Sequence, residues 1–110
     1  MPEITVYAGI DWRGRLAAAV AREAASILAR EYSVSVDVDI LEIPVDGVEA
    51  ERRGLPLVIV DGVVIAEGRV PSIEEIVDEV FKSIELASSI GPAGFPVFED
   101  EWEVVEEAIA

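Results

Sequence analysis

The sequence predicts an α/β protein in which helices flank a mixed sheet of four strands. Two observations predict it, one in each half of the chain. A strand–helix–strand beginning makes the first two strands parallel through a right-handed crossover. An apolar run that ends in Asp61-Gly62 and returns as a second apolar run predicts an antiparallel hairpin. The length of 110 residues is enough for one domain with one core.

The first half of the chain supplies the crossover. An apolar run over Ile4–Ala8 has strand length and ends at Gly9. From Trp12 to about Tyr32 apolar residues recur at helical spacing and alanines are frequent, which predicts a helix. Residues 33–40 then alternate Ser or Asp with Val or Ile, the pattern of a half-buried strand. The outward aspartates favour an edge position, because they discourage pairing with another chain.

The middle of the chain predicts a short element and then a central strand. Residues 44–54 are typical of a short helix or turn, with Asp46 able to cap it and Gly54 able to end it. Residues 55–60 are all apolar, which predicts a central strand buried on both faces.

The last predicted elements are a hairpin strand and a helix. Val63–Ala66 follows the Asp-Gly turn as the antiparallel partner strand. Ser72 and Glu75 have the spacing of a capping box, so a helix is expected to begin directly after Ser72. Its apolar residues keep helical spacing as far as Ile84.

The chain divides into a domain over residues 1–90 and a C-terminal extension over residues 91–110. Glycines and prolines exclude a helix over 91–98, so this stretch is expected to be a linker or a packed arm. Residues 99–110 predict a short acidic helix, whose apolar side is formed by Trp102, Val105 and Ile109.

The charge of −15, from 8 basic and 23 acidic residues, excludes some classes of partner. Nucleic acid and anionic membranes would be repelled, whereas a basic protein or peptide would be attracted. No apolar run reaches the ~20 residues of a membrane span, and the N-terminus lacks a signal peptide, so a cytoplasmic location is expected. The absence of Asn, Gln and Cys favours a thermophilic source.

The chain also lacks histidine and cysteine, which limits its chemistry. It has no imidazole base, no thiolate nucleophile and no soft metal ligand. No calcium-loop spacing of carboxylates is present either. We therefore expect no cofactor, no metal site and no catalytic residue.

Three segments resemble a known family. Ile4-Thr-Val-Tyr-Ala-Gly9, Gly54-Leu-Pro-Leu-Val-Ile-Val-Asp-Gly62 and Gly68-Arg-Val-Pro-Ser-Ile-Glu-Glu75 resemble small archaeal and bacterial glutaredoxin-like proteins of the thioredoxin fold. The resemblance covers residues 3–86. It implies a thioredoxin-like sheet of order 2-1-3-4, and a cis peptide bond before Pro56, with that proline facing the redox site. Without the resemblance, Pro56 would be an ordinary proline at the start of a strand.

The chain departs from that family at the redox site itself. Where the family has Cys-x-x-Cys, this sequence has Asp11-Trp12-Arg13-Gly14, so thiol–disulfide exchange is excluded. Asp11 suits the N-cap of a helix, and as a fixed anion it could also bind a partner or act in acid–base chemistry. Trp12 either belongs to an exposed partner-binding surface or packs on the C-terminal arm, on Phe95 or Phe98.

These observations lead to one functional expectation and two alternatives. The expectation is a non-redox binding module for a protein or peptide, with no enzymatic activity. Its partner-binding residues would be Asp11, Trp12, Arg13, Gly14, Leu55, Pro56, Gly68 and Arg69. One alternative is an interaction subunit whose residues 91–110 dock on a second copy or on another protein. The other alternative is a non-thiol enzyme that uses Asp11, which has the least support because no second catalytic group lies nearby in the sequence.

Overall fold

The computed structural model, which describes residues 1–88, confirms an α/β fold with a four-stranded mixed sheet of order β2-β1-β3-β4. β1 pairs in parallel with β2 and antiparallel with β3, and β3 pairs antiparallel with β4. The elements are β1 (Glu3–Ala8), α1 (Trp12–Tyr32), β2 (Asp37–Glu42), α2 (Gly47–Arg52), β3 (Leu57–Val60), β4 (Val63–Glu67) and α3 (Ile73–Ser88). The predicted arm and acidic helix at 91–110 lie outside the described residues.

The core lies between one face of the sheet and the pair of helices α1 and α3. Alternate strand residues and one side of each helix are fully buried there; the largest are Ile4, Val6, Val58, Val60, Leu28, Ile76 and Val80. The part of α1 that packs on the sheet is rich in alanine, with Ala17, Ala21 and Ala24 fully buried. These small side chains allow the helix backbone to lie close to the strands.

The predicted caps of α2 are confirmed. The Asp46 side chain accepts a hydrogen bond from the Glu49 N–H at 2.9 Å, which makes it the N-cap. At the other end Gly54 has a φ of +72°, and the N–H groups of Gly54 and Leu55 donate to the carbonyls of Glu51 and Ala50. This pair of bonds is the Schellman motif, which closes a helix through a left-handed residue.

The predicted hairpin and capping box are also confirmed. Asp61 and Gly62 both have positive φ, as a two-residue hairpin turn between twisted strands requires. At the start of α3 the Ser72 N–H donates to the Glu75 carboxylate at 3.0 Å. The Glu75 N–H donates in return to the Ser72 hydroxyl at 3.1 Å.

The prediction that β2 begins at residue 33 is wrong. Ser33 is instead the left-handed C-cap of α1, with a φ of 55°, and its N–H donates to the Leu28 carbonyl. The strand therefore begins at Asp37 and runs two residues beyond the predicted end, to Glu42. The predicted edge position is confirmed, and the aspartates of the strand are exposed.

The prediction that β3 is buried on both faces is also wrong for the described part of the chain. Val58 and Val60 are fully buried, whereas Leu57 and Ile59 on the opposite face are only half-buried. The reason is that α1 and α3 both pack on the face that carries the valines.

Candidate groove between the starts of α1 and α2

The two strands β1 and β2 end side by side, and a helix begins shortly after each of them. The parallel register pairs Ala8 with Glu42, the last residues of the two strands. Backbone hydrogen bonds then join the following segments, from the Ile43 N–H to the Ala8 carbonyl at 2.7 Å and from the Ile10 N–H to the Val45 carbonyl at 2.8 Å. The starts of α1 and α2 are therefore held next to each other.

An open groove of about 540 Å³ lies between these two helix starts. Two apolar side chains stand out from it: Trp12 is 69% exposed and Val48 is 71% exposed. The residues that line it are Asp11, Trp12 and Arg13 from the start of α1, and Asp46, Gly47, Val48 and Glu51 from the start of α2. We call this feature the Trp12 groove.

Asp11 is the N-cap of α1, which confirms that expectation. Its Oδ1 accepts a hydrogen bond from the Gly14 N–H at 3.0 Å, and its Oδ2 lies 3.6 Å from Nε of Arg13. The Asp11 side chain is only 10% exposed. Both carboxylate oxygens of Asp11 already have partners in the chain. Asp11 therefore holds the start of α1 in place and is not a free charge at the groove.

Two glycines let both helices lie close to the end of β1. A Cβ on Gly14 would lie 2.6 Å from the Gly9 carbonyl oxygen, and a Cβ on Gly9 would lie 2.7 Å from the Ala50 Cβ. Both distances are shorter than real Cβ atoms show, so a side chain at either position requires a shift of the backbone or of α2. Gly14 is thus a buried spacer beneath the groove and not part of its surface.

Leu55 and Pro56 lie between α2 and β3 and are buried. The peptide bond between them is cis, as the resemblance implies, and the register of β1 with β3 places Pro56 one residue beyond the Tyr7–Leu57 pair. Leu55 is 5% exposed and Pro56 less than 2%. The Leu55 N–H already donates to the Ala50 carbonyl, in the Schellman motif of α2. Neither side chain lines the Trp12 groove.

Gly68 and Arg69 belong to the connection between β4 and α3. Gly68 has a φ of +74°, and its N–H donates to the Pro56 carbonyl at 2.9 Å. Arg69 binds both carboxylate oxygens of Glu75, at 3.0 and 2.7 Å, and donates to the Ile65 carbonyl at 3.0 Å. Its guanidinium is therefore committed to holding the start of α3.

The Arg69 pair changes the titration of Glu75. The hydrogen bond from Arg69, followed by the bond from the Ser72 N–H, lowers the pKa of Glu75 to about 2. The carboxylate therefore stays ionised, and stays paired, far below neutral pH.

The structure thus brings together three of the expected binding residues, Asp11, Trp12 and Arg13, and adds a second wall that sequence reasoning missed. That wall consists of Asp46, Gly47, Val48 and Glu51. A signal for it was present, because the carboxyl ends of neighbouring parallel strands meet at one edge of a sheet. The segment after β2 therefore had to lie beside the segment after β1.

Comparison with models of protein families, with curated proteins and with solved structures found no match. Within residues 1–88, no group of three or more carboxylates is arranged to hold a metal ion. None of the helices in that range combines the length and the apolar character that crossing a membrane requires.

Proposed function

We propose that this chain is a non-redox domain of the thioredoxin-like class that binds a protein or peptide segment in the Trp12 groove. The sheet order, the parallel pairing of β1 with β2, and the helix that begins directly after β1 support the class. The resemblance of the sequence to glutaredoxin-like proteins supports it independently of these features.

The observation that carries the proposal is the exposure of Trp12 and Val48 on facing sides of one groove. Large apolar side chains in an exposed cluster are typical of interaction sites. Tryptophan in particular is enriched among the few residues that contribute most of the free energy of binding at protein interfaces. An apolar side chain of the partner would fill the groove between the two.

Charge determines which segment fits best. Asp46 and Glu51 are exposed at the groove. Among residues 1–88, the only basic residue that lines it is Arg13, which is paired with Asp11. The first turns of α1 and α2 are each capped by an aspartate of the chain itself, so neither attracts an external anion. The preferred segment therefore carries Lys or Arg next to its apolar anchor.

The geometry gives little support to a catalytic role at this site. With no cysteine in the chain, thiol chemistry is absent, and Gly14 has no room for a β-carbon. The segment Asp11–Gly14 therefore differs from a Cys-x-x-Cys site in its backbone packing as well as in its side chains. Asp11 is held by Gly14 and Arg13, which leaves it poorly placed to exchange a proton with a substrate.

The test is selection of binding peptides from a random phage-displayed library on the immobilised full chain. Enriched peptides should combine an apolar residue with Lys or Arg, and their fluorescent synthetic copies should bind with an affinity that Trp12→Ala lowers by about tenfold or more. Glu51→Gln should weaken binding a few-fold and reduce its dependence on salt, because it removes a charge from the rim.

Two matched substitutions elsewhere serve as controls. Val48→Ala should weaken peptide binding, whereas Val63→Ala, at a residue of β4 that is 50% exposed, should not. Glu31→Gln on α1 is compared with Glu51→Gln. Peptides that bind the wild type and Trp12→Ala equally well, or that are weakened as much by the control substitutions, would overturn the proposal, as would a library with no enriched sequence.

A further inference from the structure

The sheet has a second face, opposite α1 and α3, that the described part of the chain leaves incompletely covered. We call it the open face; its residues are Thr5, Tyr7, Asp39, Leu41, Leu57 and Ile59. Along β1 and β3, fully buried residues alternate with half-buried ones, and the half-buried ones are those of the open face. Leu41, on the edge strand, is 38% exposed.

The apolar residues of the open face are contiguous. Tyr7 pairs with Leu41 on one side and with Leu57 on the other, so the three form a row across three strands. Ile59 pairs with Thr5 in the next row. α2 approaches β1 at Gly9, one residue beyond the end of the strand, and the apolar residues of the two rows remain half-buried or exposed. The result is an apolar band that needs another layer.

We propose that residues 89–110 of the same chain form that layer, with the stretch 99–110 lying as a helix across Tyr7. At helical spacing Trp102, Val105 and Ile109 share one side of this stretch. Asp100, Glu103 and Glu107 share the opposite side. A helix with this pattern places its apolar side on the sheet and its carboxylates in water.

The point where α3 ends fits this path. Ser83, in the last turns of α3, hydrogen-bonds the Asp61 carboxylate, and the Asp61 N–H donates to the Glu3 carbonyl at the start of β1. The chain therefore leaves the helix layer at one end of the sheet. Passing from that layer to the other face requires about 20 Å, since a helix is roughly 10 Å across.

The chain beyond α3 has the length for this layer. Residues 89–98 reach up to ~33 Å when extended, which is more than the crossing needs. The twelve residues 99–110 make a helix of ~18 Å, which matches the ~20 Å of a six-residue strand.

Charge and concentration favour this segment over a second copy. A second copy would bring a charge of −15 to the open face, whereas residues 89–110 bring only their six carboxylates, so the chain's own segment meets less repulsion. A segment joined to the domain by a short linker is also present at an effective concentration in the millimolar range. Covering the face from within the chain is therefore the favoured arrangement.

The test uses the full chain with Trp12→Phe, which leaves Trp102 as its one tryptophan. Emission of Trp102 should be blue-shifted and protected from acrylamide. Adding Leu41→Asp should shift the arm toward its undocked state by about tenfold, equivalent to ~1.4 kcal/mol, and expose Trp102. Leu16→Asp is the matched control: Leu16 is 43% exposed and belongs to α1, in the layer on the other side of the sheet.

A second variant avoids any disturbance of the sheet. Ile109→Asp should raise the rate at which tetranitromethane nitrates Tyr7, located by mass spectrometry, by several-fold. Tyr32 is the internal control, because it is 52% exposed at the end of α1 and should react at an unchanged rate. This variant decides the question if Leu41→Asp fails to fold.

Three results would overturn the proposal. The first is a Trp102 in the Trp12→Phe chain that acrylamide quenches as freely as it quenches N-acetyltryptophanamide. The second is release of Trp102 by Leu16→Asp but not by Leu41→Asp, which would place the arm against α1 and not on the open face. The third is a dimer in sedimentation equilibrium that Leu41→Asp dissociates, because a second copy would then cover the open face.

Discussion

Gly14→Ala is the substitution that most directly tests the packing beneath the Trp12 groove. In an ordinary helix interior, replacing Gly by Ala stabilises the fold by up to ~1 kcal/mol, because alanine has the higher helix propensity. Here the added Cβ would lie 2.6 Å from the Gly9 carbonyl oxygen, 3.0 Å from the Ala8 Cβ and 3.1 Å from Oδ1 of Asp11. The first of these neighbours is backbone, which cannot move aside as a side chain can.

The expected effect is a net loss of stability. Overpacking of this kind costs ~1–3 kcal/mol, and displacing α1 would also weaken the bond between the Gly14 N–H and Asp11. After the gain in helix propensity, we expect the free energy of unfolding to fall by about 1–2 kcal/mol. That corresponds to a drop in Tm of roughly 5–15 °C for a domain of this size.

The measurement is urea and thermal unfolding followed by circular dichroism, with Gly47→Ala as the matched control. Gly47 is also helical and also faces Asp11, but its added Cβ would lie 3.5 Å from the Asp11 Cβ, an ordinary contact. Gly47→Ala should therefore leave the free energy of unfolding unchanged or raise it by up to ~1 kcal/mol. A Gly14→Ala chain as stable as the wild type would refute the close approach of α1 to Gly9.

Two further predictions concern single side chains. Asp11→Ala should lower the free energy of unfolding, measured in urea, by ~0.5–2 kcal/mol because the N-cap is lost. Asp11→Asn keeps the cap without the charge and should stay near the wild type. Equal losses in both variants would mean that the carboxylate matters beyond capping. Because the pKa of Glu75 is lowered from 4.5 to about 2, its contribution to stability is present above pH 4.5 and is lost as the pH falls toward 2. Glu75→Gln and Arg69→Met should each flatten the decline in stability across that window, and acid-unfolding curves parallel to the wild type would contradict this.

Elements controlled by local chemistry could be predicted from the sequence. The capping box of α3 and the Asp61-Gly62 turn follow from side chains within a few residues of the backbone groups they satisfy. The alternation of Val and Asp likewise placed β2 at an edge. The start of β2 could not be predicted, because Ser33 adopts a left-handed conformation that is uncommon for residues other than glycine.

Features controlled by distant segments could be predicted only in part. The sequence identified Trp12, but the facing wall at Val48 lies 36 positions further on and meets it only because β1 and β2 run in parallel. The close approach at Gly14 depends on the Gly9 carbonyl, which no local pattern reports. An apolar run such as 57–60 likewise does not tell whether one face or both will be covered, because the covering helices come from elsewhere in the chain.

The arrangement of charge links the groove to its proposed partner. Within residues 1–88, five arginines form ion pairs with carboxylates of the same chain: Arg13, Arg30, Arg52, Arg53 and Arg69. Most of these pairs are exposed, so each adds little to stability, but each takes a cation out of competition for the remaining carboxylates. Asp46 and Glu51 at the Trp12 groove therefore face water in a strongly negative field. That field raises the association rate of basic segments and disfavours acidic ones. Charge therefore selects the class of partner, while the apolar pair Trp12 and Val48 sets the dissociation rate of the complex.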